Sequence, residues 1–297
     1  MIYDRWMSYL RDDVRLCSAV IPGAHNAGTR GMTAMACCQD GTLYEQYKYG
    51  VRHFCIRTST RRGRIVMCHG ISKGYDFELA AEDIQRMIEE APTEFFIFDI
   101  REYYDQKIGP FKVTHSPEIG KMNAFIKEYM SPEKYALTEF NSISEVTMGD
   151  IRRSGKRYLL YNYNHNYDHS VACDYIFPWD KEIYGMKTSD FPEHALTLFD
   201  KEHTDGIYWF QTQQTPNLGT HVGATTPRRL NRDLIPYFGK FTDGIARNPY
   251  YLDQANVIAG DFMTADYSKA AQILSLNINK GNISEDKTEE FKQGLRY

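Results

Sequence analysis

The chain has 297 residues, a formal charge of −4 at neutral pH, 14% aromatic residues and a mean hydropathy of −0.54. Its length suits one large α/β domain or two smaller ones. A sequence pI of about 6.2 and the lack of a long Lys/Arg run argue against nucleic acid as a partner, and no apolar segment is long enough for a transmembrane helix.

Six cysteines stand at positions 17, 37, 38, 55, 68 and 173. None forms a CxxC pair, and an α/β core of this size needs no covalent staples, so they are read as mostly free thiols. No signal peptide is visible, and the domain begins almost at residue 1, as it would after removal of a leader. A secreted or cell-surface protein is therefore expected.

Arg5 to Leu16 reads as a short helix or an arm across the bottom of a barrel. A first strand is expected at 16–22, then a Gly/Met/Cys-rich loop from Gly28 to Cys38. Thr42 starts a short tyrosine-rich helix that Gly50 ends. Strands follow at 51–57 and 64–69, and Asp76 caps a helix from Phe77 to Glu90 whose apolar residues recur at helical spacing. The run 94–101 is nearly continuous in apolar residues, as in a parallel strand covered on both faces. Ser116 and Pro117 open another helix, and Ser142 with Glu145 forms a capping box for a helix ending near Gly155. Strands at 157–162, 206–211 and 256–261 alternate with helices at 192–203, 228–238 and 265–277. This alternation predicts a parallel α/β fold of about seven strands in one domain over 1–279, followed by a polar, frayed tail at 280–297. There is no dinucleotide fingerprint and no P-loop.

Three polar residues end predicted strands: His25 beyond the first, Arg57 on the second and His69 on the third. If those strands are neighbours in one parallel sheet, the side chains converge on the rim where barrel enzymes keep their sites. Two imidazoles and a fixed cation suit phosphodiester cleavage: one takes a proton from the attacking hydroxyl, one gives a proton to the leaving oxygen, and the cation holds phosphorane charge. Asp261 ends the last predicted strand, which in a closed barrel lies beside the first, so it can orient His25. Strand alternation puts His53, Cys55 and Arg57 on one face, and Asp99 and Arg101 on one face of the 94–101 strand opposite Phe96, Phe98 and Ile100. Asp99 and Asp261 are the acids available to balance Arg57 and Arg101. The cluster His165-Asn166-Tyr167-Asp168-His169 lacks the glutamate of a helical zinc motif and is read as a polar rim loop; His115, His194 and His203 are assigned nothing. The triplet Asn282-Ile283-Ser284 fits a glycosylation sequon, a pattern common by chance.

These residues resemble the X domain of phosphatidylinositol-specific phospholipase C. The shared pattern is Trp6-Met7, Pro22-Gly23-Ala24-His25-Asn26-Ala27, Gln39, Glu45-Gln46 through Gly50-Val51-Arg52, Cys55-Ile56-Arg57, His69-Gly70 and Pro92-Thr93-Glu94. Beyond residue 101 it thins to Gln211 with Thr215-Pro216 and to Gly260-Asp261-Phe262. The resemblance implies a distorted, incomplete (β/α)8 barrel of the TIM type, with His25 as general base, His69 as general acid, Arg57 on the phosphate and Asp261 behind His25. It implies attack of the inositol 2-hydroxyl on phosphorus, with release of diacylglycerol and a cyclic inositol phosphate. Asn26, Arg101, Asn162 and Gln211 are the residues expected to contact the substrate.

Three positions depart from the metal-independent bacterial pattern: Asn26 and Cys55 replace aspartates, and Asn162 stands where an inositol-contacting arginine is usual. Asparagine at 26 resembles the calcium-dependent members, but those carry acids where this chain has Cys55, Arg57 and Arg101. Two arginines would repel a hard cation that needs several oxygen ligands. No cofactor is therefore expected, with calcium as the alternative. The chain is expected to be a monomer that acts on inositol phospholipid or a related phosphodiester and touches the membrane surface transiently. Met32 and Met35, in the loop after His25, either dip into that interface or pack under the loop. The rival readings are a catalytically impaired lipid- or phosphate-binding domain and a metal-dependent glycerophosphodiesterase-like barrel.

Overall fold

The computed structural model describes residues 1–102, 107–108, 110–112, 117–162, 166–177, 186–200, 205–214 and 226–295. Its strands are β1 (Ile21–Ala24), β2 (His53–Arg61), β3 (Arg64–His69), β4 (Ser72–Asp76), β5 (Phe96–Glu102), β6 (Lys107–Ile108), β7 (Phe111–Lys112), β8 (Tyr158–Tyr161), β9 (Tyr175–Ile176), β10 (Ile207–Gln211) and β11 (Val257–Gly260). Seven run parallel in the order β9-β10-β11-β1-β2-β5-β8. The ends of this series do not join in a ladder; Tyr161 and Val171 form an isolated bridge there. The fold is a distorted barrel with an unclosed sheet.

Alternation along the strands separates two cores. Phe54, Ile56, Phe96, Phe98, Ile100, Leu160, Phe210 and Ile258 point outward and pack with the helices, including Phe77–Glu90 and Pro227–Arg247. Cys55, Ile97, Leu159, Trp209, Val257 and Ala259 point inward, and the N-terminal segment closes this interior from below through Trp6, Met7 and Leu16. The polar wall of the interior is therefore the face that alternation assigned to Cys55, Arg57, Asp99 and Arg101.

Local chemistry accounts for the element boundaries. Thr42 and Glu45 form a reciprocal capping box at the start of the helix Leu43–Lys48. Ser142, expected to cap the next long helix, caps only the 3-10 turn Ile143–Glu145; the box that starts the helix Met148–Ser154 is Thr147 with Asp150, and Gly155 ends it with φ +68°. The helix expected from Ser116 begins at Ile119, and Ser116 itself lies outside the described residues, as do His115, His165, His203, Thr215 and Pro216. The first strand starts at Ile21, because Leu16–Ser18 forms a 3-10 turn.

Two expectations are corrected. The 64–69 strand is not a parallel neighbour: Arg62 and Gly63 both take positive φ (51° and 78°), making a two-residue hairpin turn, and β3 returns antiparallel along the upper half of β2. The segment 280–295 is not frayed. Asn282 Nδ2 donates to the Ser18 carbonyl, and the helix Thr288–Gly294 buries Phe291 against Tyr9.

Candidate active site

β1 lies between β11 and β2, with Ala24 beside Gly260 and Phe54. His25 and Asp261 are therefore the first residues beyond two adjacent strand ends. His25 Nδ1 lies 2.8 Å from Asp261 Oδ1, with both side chains buried. A carboxylate only accepts, so Nδ1 carries the proton and Nε2 is left with the lone pair. Burial pushes the His25 imidazole below its ordinary value, Asp261 opposes this, and the positive charges of Arg57 and Arg101 add to it. The ring is thus held neutral and oriented, the state a general base needs.

His69 arrives from above on β3 instead of rising on a parallel strand. Its Nδ1 donates to the Ala36 carbonyl at 2.9 Å, which fixes the tautomer, and lies 3.8 Å from Cys38 Sγ. Burial lowers its pKa to about 4, the Ala36 bond opposes this, and Arg57 lowers it further. Arg57 thus bears electrostatically on both imidazoles. It lies on β2 in register with Arg101 on β5.

The expected substrate contacts are less uniform. Arg101 is turned onto Asp99, 2.6 Å from its Oδ2, and its guanidinium lies over the neighbouring rings of Phe177 and Trp209 at 4.6 and 4.9 Å. Asn162 follows β8 and gives its Nδ2 to Asn166. Gln211 ends β10, where its Oε1 accepts from Gln213 Nε2 at 2.9 Å. Asn26 is buried with φ +46°, a left-handed turn that asparagine tolerates; its Nδ2 lies 3.6 Å from Cys38 Sγ, and its Oδ1 has no hydrogen-bond partner. Cys55 is fully buried in the interior core.

Three further residues organise the site. Gln39 donates from Nε2 to the carbonyls of His25 and Gly260 at 2.9 and 2.8 Å and accepts from the Met263 amide at 3.0 Å, joining the end of β1 to the end of β11 beside the His25–Asp261 pair. Lys269 is buried behind Asp261, with Nζ donating to the Asp261 carbonyl and to Asn231 Oδ1; burial lowers its pKa to about 8. Cys38 is brought in by Thr29, whose hydroxyl accepts from the amides of Cys38 and Gln39. Gln39 was visible only as part of the motif, and nothing in sequence separates Cys38 or Lys269 from other residues of their type. All six cysteines are free, as expected.

No family model matches the sequence, and no curated protein matches it. Among solved structures, a phosphatidylinositol-specific phospholipase C from Listeria monocytogenes aligns over 93% of this chain and 98% of its own, with a TM-score of 0.65 at 17% identity. One from Staphylococcus aureus aligns over 92% of this chain and 97% of its own, with a TM-score of 0.69 at 15% identity. The fold is therefore the α/β barrel of bacterial phosphatidylinositol-specific phospholipases C.

Proposed function

We propose that the protein is a metal-independent phosphodiesterase of the phosphatidylinositol-specific phospholipase C type. The observation that carries this reading is the complementary tethering of the two imidazoles: His25 Nδ1 on the Asp261 carboxylate, His69 Nδ1 on the Ala36 carbonyl, with the Arg57 cation acting on both. In this scheme His25 Nε2 takes the proton of the inositol 2-hydroxyl as its oxygen bonds to phosphorus. Arg57 stabilises the equatorial oxygens, and protonated His69 gives its Nε2 proton to the departing diacylglycerol oxygen. The product is a cyclic phosphate. Arg101, Asn162 and Gln211 line the wall toward the headgroup, and the Arg101–Asp99 pair stiffens it.

A substrate panel assayed with and without EDTA, with phosphorus NMR of the products, tests this. A cyclic phosphate formed equally in EDTA is expected. Loss of activity in EDTA would return calcium, and a rate restored by metal without a cyclic product would favour a glycerophosphodiesterase-like reaction. Binding without turnover would make the chain a lipid- or phosphate-binding domain.

For membrane contact, the structure separates the two methionines. Met32 is 9% exposed and belongs to the core under the loop, while Met35 is 54% exposed; Ile71, just past His69, is 62% exposed. Ala36, beside Met35, is bonded to His69, so both exposed side chains flank the same mouth. We expect Met35→Glu combined with Ile71→Glu to weaken vesicle binding several-fold and to spare turnover of a soluble substrate. Equal losses on both would assign these side chains to packing.

A further inference from the structure

We propose that the pocket also binds a thiophilic divalent cation of the Zn²⁺ type through Cys38, His25 and Asp261, and that this ion switches the phosphodiesterase off. One ring nitrogen of His25, Sγ of Cys38 and one carboxylate oxygen of Asp261 lie within 4.8 Å of one another, all on buried residues. Among the described residues no other set of His, Cys, Asp or Glu side chains does this. A second observation points to the same spot: Asn26 is 1% exposed and lies against the Cys38 sulfur, with its Oδ1 facing no partner. The His69 ring stands 3.8 Å from that sulfur on another side.

The donor chemistry selects the metal. Bonds of about 2.0–2.3 Å to nitrogen, oxygen and sulfur place tetrahedral zinc ligands roughly 3.3–3.8 Å apart, so the widest pair needs to close by about 1 Å at most and the 2.8 Å contact of His25 Nδ1 with Asp261 needs to open. A thiolate and an imidazole favour Zn²⁺ or Cd²⁺ and offer little to Ca²⁺ or Mg²⁺. On binding, the Cys38 S–H bond breaks, the sulfur–metal bond forms and the proton leaves to solvent, while the Nδ1 proton of His25, which Asp261 accepts in the metal-free pocket, moves to Nε2 so that Nδ1 can bind the ion. The thiolate and the Asp261 carboxylate together supply two negative charges against the nearby Arg57. The inhibition follows because His25, with the ion on Nδ1 and the proton on Nε2, no longer has a lone pair to offer the attacking hydroxyl.

The inhibition rests on the phosphodiesterase reading, whereas the metal site does not, and the experiment separates them. The full chain, stripped with EDTA, is titrated with Co²⁺ alone and followed by absorption spectroscopy, then with Zn²⁺ by calorimetry and thermal unfolding. The wild type is expected to show a thiolate-to-cobalt charge-transfer band, to take up one Zn²⁺ per chain and to unfold at higher temperature with the metal. Cys38→Ser is expected to lose the band and weaken Zn²⁺ binding by on the order of 100-fold. Inhibition by Zn²⁺, measured against each protein's own metal-free rate, is expected for the wild type, with reversal by EDTA, and to be weakened equally in Cys38→Ser. No charge-transfer band in the wild type, or equal Zn²⁺ affinity in both proteins, overturns the site. A band without turnover on any substrate supports the site and overturns the functional reading alone.

Discussion

Replacing His69 by alanine is expected to lower turnover of inositol phospholipid by on the order of 10²–10⁴-fold, and a substrate with a good leaving group is expected to recover most of that loss. The same substrate should not rescue His25→Ala, because the attacking hydroxyl still has to lose its proton. The division follows from the two tethers. His25 has a carboxylate behind it, which stabilises the imidazolium formed when it acts as base; His69 has only a neutral carbonyl. The pH profile carries the same asymmetry. Burial lowers both rings, His69 to about 4. A protonated acid is present below its pKa and lost as pH rises through it. The free-enzyme profile on a poor leaving group should therefore peak on the acid side of neutrality and fall as pH rises. With an activated substrate that fall should vanish, leaving only the loss at low pH where His25 takes up a proton. If the two histidine variants respond alike to leaving-group quality, the roles assigned here are wrong.

The second large effect is expected at the opposite end of the barrel. Arg52 is fully buried just before β2, and its five N–H groups all have acceptors: Glu94 Oε2 twice, and the carbonyls of Tyr47, Val51 and Tyr3. Glu94 in turn accepts from the Met7 amide and the Thr93 hydroxyl. Removing one partner leaves a buried charge unbalanced, at a cost of about 3–5 kcal/mol. Arg52→Met and Glu94→Leu are each expected to lose that much in urea unfolding, and the double variant to lose less than the sum, since both charges then go. Strict additivity of the two would show that the pair is not the source of the loss.

The legible parts of this fold are those governed by short-range rules. Alternation alone placed Cys55 inward and Phe96, Phe98 and Ile100 outward, and Thr42, Asp76 and Gly155 marked helix ends where they are found. The pairing of His25 with Asp261 followed from the adjacency of the first and last strands in a barrel. What was illegible depends on tertiary position. The hairpin at Arg62-Gly63 carries only one glycine and reads as a break between parallel strands, so His69 was expected from the wrong direction. β9 is two residues long, below any periodic signal. Phe291 is one apolar residue in a charged stretch, and only the groove beside Tyr9 makes it an anchor. Cys38 and Lys269 acquire their surroundings from residues far away in the chain.

The Gln39 bridge has a consequence for how the molecule is made. A single amide ties the end of β1 to the end of β11, and His25 meets a carboxylate 236 residues downstream. During synthesis β1 emerges first, but its β11 side stays an open edge until nearly the whole chain has left the ribosome. The His25–Asp261 pair therefore forms last, as the closing event of a fold dominated by distant contacts, which makes slow folding the natural outcome. Until β11 docks, the newborn chain holds His25 apart from the carboxylate that orients its ring.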